Sequence, residues 1–118
     1  MTDLTPLGVA RRFDQLTDQL DELVRELNEA DRTATRARVE FIKRYSIAWQ
    51  QVSGSVEAKR QTATRVTIEY RKDAEEADCE VRRLRRLVDL MELRIGVGRS
   101  IGAAVRAEVS ALGAWTEG

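Results

Sequence analysis

From Phe13 onward an apolar residue recurs every three or four positions, through Leu16, Leu20, Leu23, Leu27, Ala30, Ala34, Ala37 and Phe41. That spacing puts all of them on one side of an α-helix and is the heptad pattern of a helix that packs lengthwise on another. The row continues through Tyr45, Ala48 and Val52, an eleven-residue step from Phe41 that locally relaxes a left-handed supercoil. Beyond Ser53-Gly54-Ser55 a second row runs Val56, Ala63, Thr67, Tyr70, Ala74, Ala77, Val81, Leu84, Val88, Met91, Ile95.

The two rows mirror each other about Gly54. Phe13 pairs with Ile95, Leu20 with Val88, Leu27 with Val81, Ala34 with Ala74 and Phe41 with Thr67, each pair of numbers adding up to 108. Mirrored rows across a short polar turn predict an all-α fold: a long antiparallel helical hairpin. Its first helix is expected over about 6–52, with Thr5 as N-cap and Pro6 in the first turn. The turn occupies 53–55, and the second helix runs from about 56 to 95 with Ser55 as its cap. "GVGRS" at 96–99 and beyond reads as a second turn, with Gly96 as a left-handed cap. A short third helix over about 100–113 would then pack at the hairpin's open end, covering Leu87, Leu90 and Leu93 together with Leu4 or Leu7.

At 118 residues the chain fits a single domain, 34% charged and only 5% aromatic, as long helices are. Its single cysteine, Cys79, rules out an internal disulfide framework and suits a reducing cytoplasm. No apolar run approaches the roughly 20 residues of a membrane span, and "MTDLTPLGV" lacks the regions of a signal peptide. The sequence thus reads as cytoplasmic, with no membrane partner. With no histidine and no nucleophile beside a base partner, there is no candidate for metal or triad chemistry. No enzyme, cofactor or small-molecule substrate is expected. The glycines of 96–102 follow a helix and lack a Gly-Lys-Ser/Thr ending, so they resemble a phosphate loop only loosely. As a helix N-terminus they would still offer backbone groups to an anion.

Net charge is zero, but its distribution is not even. Residues 1–31 carry eight acids and three bases, 32–72 three acids and ten bases, and 73–118 nine acids and seven bases. The hairpin tip is therefore strongly basic. The candidate binding residues there are Arg36, Lys43, Arg44, Trp49, Lys59, Arg60, Arg65 and Lys72, with Tyr45 and Tyr70 interleaved. Cations beside aromatics suit single-stranded nucleic acid, through phosphate neutralisation and base stacking. Arg44 and Arg65 are expected near each other with no acid across from them. The competing reading is that the tyrosines are core and the charges a solvated face. Val39, Ile42, Ile47, Trp49, Val66 and Ile68 fall off the rows near the tip, where no other segment reaches them. That predicts self-association or a protein partner. "RRLRR" at 82–86 is expected instead to pair across the hairpin with Asp18, Asp21, Glu22 and Glu26.

Three stretches, "RARVEFIKRYSIAW", "GSVEAKRQTA" and "LRIGVGRSIGAAVRAE", together resemble small helical proteins of unknown function encoded by phages of actinobacteria. The resemblance covers most of residues 36–108 and brings no catalytic residues with it. It implies a phage or prophage origin, with DNA replication or recombination as the setting. The expected function is a non-enzymatic accessory protein that binds nucleic acid or a nucleoprotein partner through the tip. The alternative is a coiled-coil module that binds another protein, as adaptor or inhibitor.

Overall fold

The computed structural model describes residues 5–117, and it is helical nearly throughout. Helix α1 spans Pro6–Gln51, α2 Val56–Val66 and α3 Ile68–Glu117. The hairpin's turn lies where the sequence places it. Gly54 turns the chain at φ 127°, a left-handed conformation that a Cβ would strain. Ser55 then caps α2, its Oγ accepting from the Ala58 N–H at 3.1 Å. Thr5 caps α1 in the same way, its Oγ1 accepting from the Gly8 N–H at 3.1 Å.

The chain divides into two compact units. One comprises residues up to Val24 and from Arg86 onward, and the other residues 25–85. We call them the base and the tip. In the base, Leu16, Met91 and Ile95 form a buried cluster with Phe13, Leu20 and Leu23 packed against it. In the tip the buried positions are mostly small: Ala34, Ala48, Ala63 and Ala74, with Val81, Leu84 and Thr67. Every member of the two predicted rows is buried or half-buried except Val56, which stands in solvent beside the turn.

Two expectations about the helices need correction. The predicted turn at 96–99 and the separate third helix over 100–113 do not form, because α3 runs unbroken to Glu117. Glycine within a helix costs only about 1 kcal/mol relative to alanine, which is not enough to end a helix whose packing continues. Gly98 and Gly102 extend the α3 core row after Ile95, and Gly102 is buried. A Cβ on Gly102 would lie 3.3 Å from Val9 Cγ1, so these glycines serve close approach of α1 and α3. With no third helix folding back, Leu90 and Leu93 remain exposed, as does Leu7, while Leu4 lies outside the described residues.

The second correction is at Thr67, where the expected continuous helix is interrupted (φ −106°, ψ 12°). Thr67 is 1% exposed, and its hydroxyl donates to the Ala63 carbonyl at 2.6 Å. That carbonyl also accepts from the Thr67 N–H at 3.1 Å. The run Val66-Thr67-Ile68 explains the site, since β-branched side chains crowd the preceding turn and a threonine hydroxyl competes for its carbonyl.

Candidate interaction surface of the tip

The tip presents the end of α1, all of α2 and the start of α3. Its predicted cations divide into two groups. Arg36 lies 3.5 Å from Glu29 and also donates to the Arg32 carbonyl. Arg44 pairs with Glu40 at 2.7 Å and Arg60 with Glu57 at 3.1 Å. All three are exposed ion pairs along one helix, which contribute little stability, but each acid reduces what its arginine offers a ligand. Lys43, Lys59, Arg65 and Lys72 make no ion pair among the described residues, although Lys43 lies near enough to Glu40 to help lower its pKa, and all but the half-buried Lys59 are exposed.

Arg44 differs most from expectation. Its hydrogen bond with Glu40 raises the guanidinium pKa and lowers that of the carboxyl. The same guanidinium lies 5.2 Å from the centroid of the Tyr70 ring, so it bridges α1 and α3. It is therefore not an acid-free cation, and its guanidinium is engaged by Glu40 and Tyr70.

The aromatics are also engaged. Phe41, Tyr45 and Trp49 follow one another at four-residue steps with centroids 6.0 and 6.1 Å apart, an i,i+4 ladder along α1. Trp49 is half-buried at its end, lining a shallow depression of about 390 Å³ with Tyr45, Ser46 and Gln50. By spacing it falls off the core row. The equal spacing of Phe41, Tyr45 and Trp49 is the sequence feature that accounts for its place on the ladder.

What stands free is aliphatic. Val39 is 59% exposed, Ile42 56%, Val66 59% and Ile68 49%. Ile47 is exposed as well, so of the six residues off the core rows near the tip only Trp49 is half-buried.

The "RRLRR" cluster departs from its expected cross-hairpin pairing. Arg83 binds Glu80, a turn back on α3, through two hydrogen bonds of 2.6 and 2.9 Å. Glu26 on α1 contributes only the least of the influences that raise the Arg83 pKa. Arg82 donates to Cys79 Sγ at 3.0 Å. An interhelical ion pair of the tip joins Arg38 to Asp78 at 3.0 Å instead. In-helix partners win because they lie one turn away at no cost in register.

The backbone groups that a helix start at 96–102 would offer an anion are not presented, since no helix begins there. Among the described residues there is no cluster able to hold a metal ion and no helix long and apolar enough to cross a membrane. Comparison with protein-family models, with curated proteins and with solved structures found no match.

Proposed function

We propose that this chain is a non-enzymatic binding module whose hairpin tip docks on another macromolecule, a protein surface with an apolar centre and an acidic rim. One observation carries the reading: Val39, Ile42, Val66 and Ile68 stand in solvent on the same unit that holds the unpaired Lys43, Arg65 and Lys72. Exposed apolar side chains grouped on one surface usually mark interfaces. β-branched residues have little rotamer freedom to lose on docking, which favours such a surface. The cations would steer an acidic partner and set its orientation. In the phage setting that the sequence resemblance suggests, that partner would be a protein of DNA metabolism, met free or on nucleic acid.

Direct nucleic-acid binding is the second reading, favoured by the ten bases against three acids over residues 32–72. It is weakened because Arg36, Arg44 and Arg60 have acids of their own and Arg44 covers Tyr70.

Salt and substitution separate the two. Capture of a defined partner from the native cells should survive nuclease and weaken little between low and physiological salt. It should be lost in Val39→Asp/Ile42→Asp and only weakened in Lys43→Glu/Arg65→Glu. Binding to labelled oligonucleotides that falls steeply with salt, and that Lys43→Glu/Arg65→Glu abolishes, would establish the nucleic-acid reading instead.

A further inference from the structure

The base carries a second apolar row that the hairpin does not use. On α3 the residues turned toward α1 are Val88, Met91, Ile95, Gly98, Gly102 and Val105. About a third of a turn away lie Leu90, Leu93, Val97, Ile101 and Ala104, all exposed, Leu93 by 66% and Val97 by 53%. Their spacing is eleven-fold: Leu90 recurs as Ile101 and Leu93 as Ala104. An eleven-residue repeat, at about 3.67 residues per turn, keeps such a row in line on a nearly straight helix.

The row ends in opposite charges, Arg86 one turn before Leu90 and Glu108 one turn after Ala104. Neither has an ion-pair partner among the described residues. Along one border run Gly96, Ser100, Ala103 and Ala107, all exposed, and a Cβ on Gly96 would meet nothing within 4 Å. Another helix could therefore approach closely.

We infer that this row is the seam of a homodimer, covered by α3 of a second copy running antiparallel about a two-fold axis at Val97. The self-complementarity of the row selects that occupant. With Val97 on the axis, Leu93 faces Ile101 of the second copy, Leu90 faces Ala104, and Arg86 faces Glu108. Apolar side chains meet apolar ones throughout, Leu90 against the smaller Ala104, and each unpaired charge meets its opposite, twice by symmetry. A parallel pairing would set Arg86 against Arg86 and Glu108 against Glu108, so charge decides the direction. The contact from 86 to 108 spans roughly 33 Å at about 1.5 Å per residue. It uses no tip residue, so it stands or falls apart from the function proposed above.

The test is single-cysteine cross-linking of the full chain in a Cys79→Ser background, beside sedimentation equilibrium of the unaltered chain. Val97→Cys should form a disulfide dimer under mild oxidation. Leu93→Cys and Ile101→Cys should not link to themselves, because their symmetry mates lie about 12 Å apart along the seam, beyond the roughly 7 Å that a disulfide bridges. Mixed together, those two variants should link to each other. The unaltered chain should be dimeric at tens of micromolar. Leu93→Glu should weaken the dimer at least tenfold with its helical circular dichroism retained. Arg86→Glu should weaken it on the order of threefold, and adding Glu108→Arg should restore it. A monomer at a hundred micromolar, equal self-linking of all three cysteine variants, or failure of the charge swap to restore affinity would overturn the inference.

Discussion

The base and the tip are built from the same two antiparallel strands of helix, yet they are held together by different means. In the base, long side chains fill the seam, with Leu16, Met91 and Ile95 buried against Phe13, Leu20 and Leu23. In the tip the buried positions are mostly alanines, joined by Val81, Leu84 and Thr67, and the arms also share a cation over a tyrosine and an ion pair. Burial of large aliphatic groups gives stability in proportion to the apolar area removed from water. An alanine seam removes less area per residue, and the tip leaves much of its own aliphatic surface in solvent. The base holds the core of large residues, and both units leave aliphatic surface in solvent. The difference follows from side-chain size at positions of equal periodicity.

The largest expected effect breaks the base. Leu16→Ala should cost about 2–5 kcal/mol, since Leu16 is buried in the base's cluster of large residues. The opposite change sharpens the contrast: Ala63→Leu in the tip adds volume at a position with no exposure and should cost about 1–3 kcal/mol. Urea unfolding of both variants, with unchanged m values, would check the pair. A tip that accepted Ala63→Leu without loss would mean its seam has slack.

A smaller effect tests why α3 does not break. Gly96→Ala should stabilise by about 0.5–1 kcal/mol, because the position is helical and open. Gly102→Ala should lose that gain or destabilise, since its Cβ would press on Val9 at 3.3 Å. Thermal melts of the two variants read the difference. Destabilisation by Gly96→Ala would restore the turn that the sequence suggests.

The smallest effect lies in the tip. Arg44 holds the Glu40 carboxyl below its ordinary pKa, chiefly through their hydrogen bond. A depressed folded-state value means that the stabilisation is present above the ordinary carboxylate range and is lost as pH falls through the depressed value. The melting temperatures of the parent and Glu40→Gln should therefore differ slightly near neutrality and converge in acid. A difference that grows on acidification would contradict the assigned pair.

Periodicity determined the hairpin. Rows of 3-4 spacing, a Ser-Gly-Ser turn and two cap residues are local features, and each specifies backbone geometry within a few residues of itself. Mirror symmetry of the rows then set which arm meets which. Several things were not legible, for reasons of the same kind. Three glycines near 100 are compatible with a turn or with close helix contact, and only the packing of Val9 against Gly102 selects the second. A basic residue is read in sequence as a free cation. Whether Arg44 is free depends on rotamers that place Glu40 and Tyr70 beside it. Spacing alone puts Leu90 and Leu93 on the second helix under a third helix that starts near Ile101, and they are a surface because α3 continues instead. Sequence spacing determines which residues share a face of a helix. Tertiary structure alone decides what covers that face, because a segment of the same chain can cover it only by folding back, and α3 continues instead.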